Sequence, residues 1–232
     1  MSKLVSIKDY EVFSDFDGTI IIKDSTDELI KTYGNELTIK EEEMFWARLE
    51  AEGKANNRET IVRLYEHMRL TPQMYYELLH SIPLDLGFAR FYDAVKAAGK
   101  GITVLTGSAS EGVLHYLREK GFADITVHGN RMGTPEGFIE IYCADAPEDT
   151  LCGEGDCAHC KSVWLKRANE SGKKTLYIGD GVTDLCAARL ADLVFAKDYL
   201  AAHCEKNGIP FVRYDSFDDI CGYLFNPQSY QA

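Results

Sequence analysis

Two carboxylates stand two residues apart in the run Asp15-Phe16-Asp17-Gly18-Thr19, directly after the apolar-rich stretch from Glu11 to Ser14. On a turning backbone such a pair points into one space and divides the work. Asp15 is placed to attack as a nucleophile, which splits a group transfer into two easier steps. Asp17 is placed to protonate the leaving oxygen and later to take a proton from water. A phosphoryl group suits this pair if a cation suppresses the repulsion between anions. Asp180 and Asp184, in Gly179-Asp180-Gly181-Val182-Thr183-Asp184, add oxygen ligands for a hard ion such as Mg²⁺. The Thr106 hydroxyl and the Gly107 N–H are candidate donors to phosphate oxygens. Lys161 stands near the start of a predicted helix, where the macrodipole disfavours a cation unless an anion sits opposite.

Taken one at a time, these residues have blander readings. A loop Asp bonds backbone N–H groups at turns and caps, a Thr caps a helix, and a lone Lys is solvated surface. Their joint position argues for chemistry. Asp15, Thr106 and Asp180 each follow a predicted strand, and open α/β sheets bind ligands outside the carboxyl ends of their strands.

The elements that must hold them follow from hydrophobic periodicity. The pattern predicts strands over Glu11–Asp15, Gly101–Leu105, Ile125–Val127, Thr175–Ile178, Leu193–Phe195 and Pro210–Val212. It predicts helices over Phe88–Ala98, Ser110–Lys120, Lys161–Glu170, Val182–Leu190, Tyr199–Glu205 and Ser216–Leu224, and a hairpin from Arg131 to Ile141. From Asp24 to Ser81 no strand is expected. Helices fill that stretch instead, over Ser25–Tyr33, Thr38–Glu52, Arg58–Arg69 and Pro72–His80, with Thr71 as a cap before Pro72. Strands alternating with helices imply an α/β fold with a mainly parallel sheet. The helical insert divides it into a core of residues 1–22 and 85–232 and a cap of residues 23–84.

The chain has 232 residues and a formal net charge of -12, which argues against nucleic-acid and anionic-membrane partners. No apolar run approaches the roughly 20 residues of a membrane helix, and Met1 to Tyr10 shows no secretory h-region, so a cytoplasmic location is expected. The oligomeric state is open, since no coiled-coil heptad or interface patch stands out. Phe45, Trp46 and Leu49 on one insert helix, with Tyr75, Tyr76 and Leu79 on another, read as packing within the insert. Glu41-Glu42-Glu43 reads as solvated surface; Arg58, Arg63 and Glu28 could face a substrate from the insert, but read more simply as solvated helix faces.

The four signals, in this order, resemble the haloacid dehalogenase (HAD) superfamily: Asp15 to Thr19, Thr106, Lys161, and Gly179 to Asp184. The resemblance implies a Rossmann-like parallel-sheet core with an α-helical cap of the C1 type inserted after the first strand. It implies Asp15 as nucleophile, Asp17 as acid/base, and Mg²⁺ held by Asp15, the Asp17 backbone carbonyl and Asp180, with Asp184 in support. Asp17 speaks against a dehalogenase. Within the superfamily the chain is similar to phosphoserine-phosphatase-like enzymes. Among these it is similar to a branch acting on the enol phosphate 2-hydroxy-3-keto-5-methylthiopentenyl-1-phosphate in methionine salvage. That similarity rests on Asp-Phe-Asp-Gly-Thr-Ile, a cysteine-rich stretch before Lys161, and Phe195 to Leu200. The chain departs from phosphoserine phosphatases in carrying Asp24 where they typically place a Glu, and Thr106 for their usual Ser. The expected partner is therefore a small phosphorylated metabolite. Phosphoryl transfer to a sugar and non-catalytic metabolite binding are the alternatives.

The cysteines pose a separate question. Cys152, Cys157 and Cys160, with Cys143, His128 or His159 as a fourth ligand, have spacings that fit a structural Zn²⁺ bracing the loop before Lys161. Reduced, partly buried thiols and a redox sensor are the competing readings.

Overall fold

The computed structural model describes residues 6–53, 55–143 and 157–225. Its first strand, β1 (Tyr10–Ser14), runs into four successive helices, α1 (Ser25–Tyr33), α2 (Glu36–Glu52), α3 (Asn57–Met68) and α4 (Pro72–Ser81). The chain then alternates through α5 (Phe88–Ala97), β2 (Ile102–Ala109), α6 (Ser110–Glu119), β3 (Thr126–Gly133) and β4 (Glu140–Tyr142). It continues through α7 (Ser162–Glu170), β5 (Lys174–Gly179), α8 (Leu185–Leu190), β6 (Leu193–Ala196), α9 (Asp198–Asn207), β7 (Val212–Arg213) and α10 (Phe217–Phe225).

Short-range chemistry sets the helix ends. Asp24 caps α1 by accepting from the N–H groups of Thr26 at 2.7 Å and Asp27 at 3.1 Å. Asn35 and Thr38 form a reciprocal capping box, which starts α2 two residues ahead of the expected Thr38. Thr71 caps α4 with Pro72 in its first turn, as expected.

Seven strands form one sheet in the order β4-β3-β2-β1-β5-β6-β7, all parallel except the β3–β4 hairpin. β1 lies in the middle, with β2 on one side and β5 on the other, so the chain reverses its direction of winding at β1. That is the topological switch point, where such sheets open a crevice at the carboxyl end. Ser14 stands opposite Val104 on one side and Ile178 on the other, which brings the strand ends at residues 15, 105 and 179 to one rim.

Three expectations change. Thr106 to Ser108 is not a loop: β2 runs on to Ala109, with its pairing to β3 shifted between Leu105 and Ala109. An irregularity of this kind re-aims side chains without ending a strand. The expected helix from Val182 divides into a 3-10 turn at Val182–Asp184 followed by α8. β3 extends well past Val127 because its far half pairs with β4.

The helical insert is joined to the sheet by two adjacent chain segments. Ile21 pairs with Leu84 in an isolated antiparallel bridge, Ile22 N–H donates to the Pro83 carbonyl at 3.1 Å, and Asp85 N–H donates to that of Ile20 at 2.9 Å. Insert residues such as Leu64, Tyr65, Tyr75 and Leu79 share one continuous buried cluster with Val12, Ile102 and Val104 of the sheet. Among the described residues no helix is long and apolar enough to cross a membrane.

Candidate active site

Asp15 is the first residue beyond β1 and is buried. Its backbone N–H continues the β1–β5 ladder to the Ile178 carbonyl at 2.8 Å. Its Oδ1 accepts from the Phe16 N–H at 2.7 Å and from Lys161 Nζ at 2.7 Å. Lys161 reaches this point from the residue just before α7, where its ammonium, only 2% exposed, also meets Asp184 Oδ1 at 2.7 Å. The expected conflict between a cation and a helix start is thus resolved by two buried carboxylates.

Asp184 is held from every side. Its Oδ2 accepts from the N–H groups of Asp180 at 3.0 Å and Gly181 at 2.9 Å, while the Tyr177 hydroxyl donates to Oδ1 at 2.5 Å. With these bonds and Lys161 its lone pairs are largely committed, which makes it an anchor for the loop and for Lys161. Gly179 is required beside it: a Cβ there would stand 2.5 Å from Asp184 Oδ2. Asp180 is more open. Thr19 donates to its Oδ1 at 2.5 Å, and Gly18, at φ +66°, leaves room for its carboxylate where any side chain would collide.

Oxygens of Asp15, Asp180 and Asp184 lie within 4.8 Å of one another, the one such metal-capable group among the described residues. Three carboxylates against the single ammonium of Lys161 leave an excess of two negative charges, the charge of one divalent ion. The electrostatics agree. Burial, then the Asp184 charge, pushes the Asp15 carboxyl well above the usual range in spite of Lys161. The same two causes raise Asp180 to about 7, against the pull of Thr19, Lys161 and Lys197. Burial acts to lower the Lys161 pKa, but Asp15 and Asp184 outweigh it and hold the ammonium above its ordinary value. An all-oxygen set that is short of positive charge fits a hard cation such as Mg²⁺.

Asp17 stands beside this group. Its Oδ1 accepts from the Ser25 N–H at 2.9 Å and its Oδ2 from the Ser108 hydroxyl at 2.7 Å, with the Thr106 hydroxyl at 3.4 Å. Asp15, Asp17 and Asp180 all face a cavity of about 300 Å³ between the strand ends and helices α1, α2 and α3. Thr106, Gly107 and Lys161 are not among its lining residues. Thr106 is fully buried, with its hydroxyl accepting from the Ser108 N–H at 3.0 Å, and the Gly107 carbonyl accepts from the Asn130 amide at 2.6 Å.

Among the described residues the cysteines form no such group. Cys152 lies outside the described residues. Cys143 stands 3.8 Å from the Arg58 carbonyl on α3, whereas Cys160 is buried against the Ser162 hydroxyl at 3.1 Å. His159 Nε2 accepts from the Trp164 indole at 3.1 Å, and His128 stacks on that indole at 3.5 Å. Burial, then the Lys161 charge, lowers the His159 pKa to about 4. Among the described residues no Cys/His group of metal-binding geometry forms, and the structural zinc is without support.

Several residues were missed by sequence reasoning. Ser108 and Ser25 orient Asp17, Thr19 orients Asp180, and Tyr177 anchors Asp184. Tyr177 carried the clearest signal, a hydroxyl inside an apolar strand. Phe45, Trp46 and Glu42, read as insert packing and solvated surface, line the cavity instead. Arg63 and Glu28 take the solvated role, pairing with Glu59 and Glu41 and with Lys23.

A family model described as haloacid dehalogenase-like hydrolase matches residues 12–189. The chain is 27% identical over 218 residues to a 2-hydroxy-3-keto-5-methylthiopentenyl-1-phosphate phosphatase of Microcystis aeruginosa, covering 92% of this chain and 96% of that one. It is 26% identical over 212 residues to a protein of the same name from Bacillus cereus strain AH187, with 90% and 93% covered. A solved structure described as a phospho-aspartyl intermediate analogue of phosphoserine phosphatase superposes with a TM-score of 0.67 at 18% identity, over 93% of this chain and 98% of that one.

Proposed function

This chain belongs to the haloacid dehalogenase-like hydrolase family, and on that premise we propose that it is a Mg²⁺-dependent phosphoric monoester hydrolase acting on a small phosphorylated metabolite through an aspartyl phosphate. The observation that carries the reading is Asp15. It is a buried carboxylate at the sheet's switch point, held on one oxygen by Lys161 and facing a metabolite-sized cavity.

Asp15 attacks phosphorus with a carboxylate oxygen while the bond from phosphorus to the alcohol oxygen breaks. Asp17, aimed by Ser25 and Ser108, gives its proton to that departing oxygen. A water then adds to phosphorus, Asp17 takes its proton, and the bond to Asp15 breaks to release inorganic phosphate. Lys161 balances charge on Asp15 throughout, and Asp184 fixes Lys161. Thr106, whose hydroxyl lies 3.4 Å from Asp17 Oδ2, and its neighbour Gly107 would offer their donors to phosphate oxygens. Asp15, the Asp17 carbonyl and Asp180 would hold the Mg²⁺, which when bound supplies charge neutralisation between nucleophile and phosphoryl group.

Residues 23–84 form the cap, a reading supported by the two-segment connection at Ile21–Leu84 and by the cavity beneath α1, α2 and α3. The relatives' names support the enol phosphate of methionine salvage as the reference substrate. The test is phosphate release from 4-nitrophenyl phosphate and from a metabolite panel, with Mg²⁺ and with chelator. Release that needs the metal and vanishes in Asp15→Asn is expected, together with a beryllofluoride adduct on Asp15. Activity surviving Asp15→Asn would refute the mechanism, and isomer formation without phosphate release would make the protein a mutase.

A further inference from the structure

We propose that Tyr214 is a positioning residue of the metal site, its hydroxyl holding Thr19 in the orientation that aims the Asp180 carboxylate at a divalent cation. The proposal rests on the phosphatase reading above. It adds a residue from the edge of the sheet and a use for the run Phe195 to Leu200.

Tyr214 directly follows β7, the edge strand, and is 2% exposed. Its ring needs no hydroxyl to pack. It lies in the main hydrophobic core, edge to face with Phe217 at 6.3 Å between centroids, a place a phenylalanine would fill. The buried hydroxyl needs partners, because leaving it unpaired costs stability. The partners it has belong to the loops that carry the carboxylates: the Gly179 carbonyl at 3.4 Å, and the Thr19 side chain, to which it is hydrogen-bonded. After burial, the charge of Asp180 raises its pKa most, with Asp184 and Asp15 behind, while the Thr19 bond eases it. Those three acids are the metal-capable group, and Asp180 is the one most strongly felt.

Proton counting fixes the direction of the chain. Thr19 has one hydroxyl proton and gives it to Asp180 Oδ1 at 2.5 Å, so towards Tyr214 it can only accept. Tyr214 therefore donates to Thr19, and Thr19 donates to Asp180. A threonine in a helical turn has competing acceptors in the carbonyls three and four residues back. Thr19 sits in such a turn, where the N–H groups of Thr19, Ile20 and Ile21 all return to the Phe16 carbonyl. Without Tyr214 the Thr19 hydroxyl would turn to Phe16 or Asp15, and Asp180 would lose its aim.

The turn from β6 into α9 holds both ends of this chain. Lys197 Nζ lies 5.3 Å from the centre of the Tyr214 ring, and the Lys197 N–H donates to the Gly179 carbonyl at 3.3 Å. The Leu200 N–H donates to the Asp180 carbonyl at 2.8 Å, and the Tyr214 N–H donates to the Ala196 carbonyl at 3.3 Å. Backbone and ring are thus fixed to one turn, and the hydroxyl is left as the variable that reaches Asp180. Groups that orient a ligating side chain without touching the metal change its affinity by about ten- to hundredfold when removed.

The experiment measures Mg²⁺ binding to chelator-stripped protein by calorimetry, for the parent, Tyr214→Phe, Thr19→Val and the double variant, with thermal melting confirming that each is folded. Tyr214→Phe keeps the ring and loses only the hydroxyl. Its Mg²⁺ Kd is expected to weaken about tenfold, while kcat for 4-nitrophenyl phosphate at saturating Mg²⁺ stays within about threefold of the parent. The double variant should bind no more weakly than Thr19→Val, since the hydroxyl acts through Thr19. Tyr92→Phe removes a hydroxyl bonded to Asp124 instead, and should leave the Mg²⁺ Kd unchanged. An unchanged Kd in Tyr214→Phe, losses that add in the double variant, or equal weakening in Tyr92→Phe overturns this proposal and leaves phosphatase chemistry intact. A parent that binds no Mg²⁺ and releases no phosphate from 4-nitrophenyl phosphate defeats the phosphatase reading and this one with it.

Discussion

Replacing Lys161 by Met tests the charge balance at the centre of the site. The side chain keeps most of its volume, and two buried carboxylates lose their shared cation. Each contact is 2.7 Å long. At an effective dielectric constant near 20, each is worth about 6 kcal/mol of Coulomb energy before desolvation is charged against it. Removing one partner of a buried ion pair costs about 3–5 kcal/mol, because the remaining charge stays buried without compensation. At about 2–4 °C per kcal/mol for a chain of this size, the melting temperature should fall by about 6–20 °C. The Lys161 pKa is raised on folding. Its stabilisation is therefore complete below the unfolded lysine value near 10.4 and lost only as pH rises through the folded value, so pH 7.5 reports it in full. Calorimetry in chelator reads the loss directly. Added Mg²⁺ should restore part of it, since the ion supplies positive charge to the same carboxylates, while kcat should stay about a hundredfold or more below the parent. A variant melting within about 2 °C of the parent in chelator, with kcat nearly unchanged, would refute the idea that Lys161 holds this cluster together.

Other predictions concern the neighbouring residues. Asp180 is raised to about 7 on folding, so the folded metal-free protein keeps a proton that the unfolded chain has lost between pH ~4 and 7. Its stability should therefore decline as pH rises across that window, and Mg²⁺ affinity should weaken about tenfold per pH unit below 7 as the proton competes; calorimetric titrations with a flat pH profile would contradict this. Thr19→Val removes the 2.5 Å bond to Asp180, which lowers that carboxyl's pKa. The midpoint of Mg²⁺ binding should shift to higher pH, with about 1–2 kcal/mol lost in denaturant unfolding; an unmoved midpoint counts against the assignment. Gly18→Ala forces a Cβ into the Asp180 carboxylate at a positive φ, and should cost about 1–3 kcal/mol together with Mg²⁺ affinity. Ser108→Ala takes the 2.7 Å donor from Asp17, and should slow alkyl phosphates about tenfold while sparing aryl phosphates, whose leaving groups need less protonation. Equal slowing of both ester classes would argue against Asp17 as the acid.

The alternation of strand and helix was legible because periodicity and caps are local. Ser25–Tyr33 and Pro72–Ser81 follow from Asp24, Thr71 and Pro72, all within a few residues of the ends they set. The bulged strand through Thr106 to Ser108 was not legible, since it depends on β3 alongside. The place of Glu42, Phe45 and Trp46 was hidden for a related reason. A helical repeat reveals that three residues share a face, but not what that face looks upon.

The sequence alone determined the residue types: a paired carboxylate after a strand, a glycine-flanked acid after another, and a lysine where a helix begins. Tertiary structure alone decided that Lys161 reaches both Asp15 and Asp184. The parallel pairing of β1 with β5 brings positions more than 160 residues apart to one rim, with Ser14 opposite Ile178. Charge interactions fall off with distance through space and take no account of separation along the chain. A list of acids and one base becomes a site that is short of a divalent cation only after the sheet has brought them within a few ångströms.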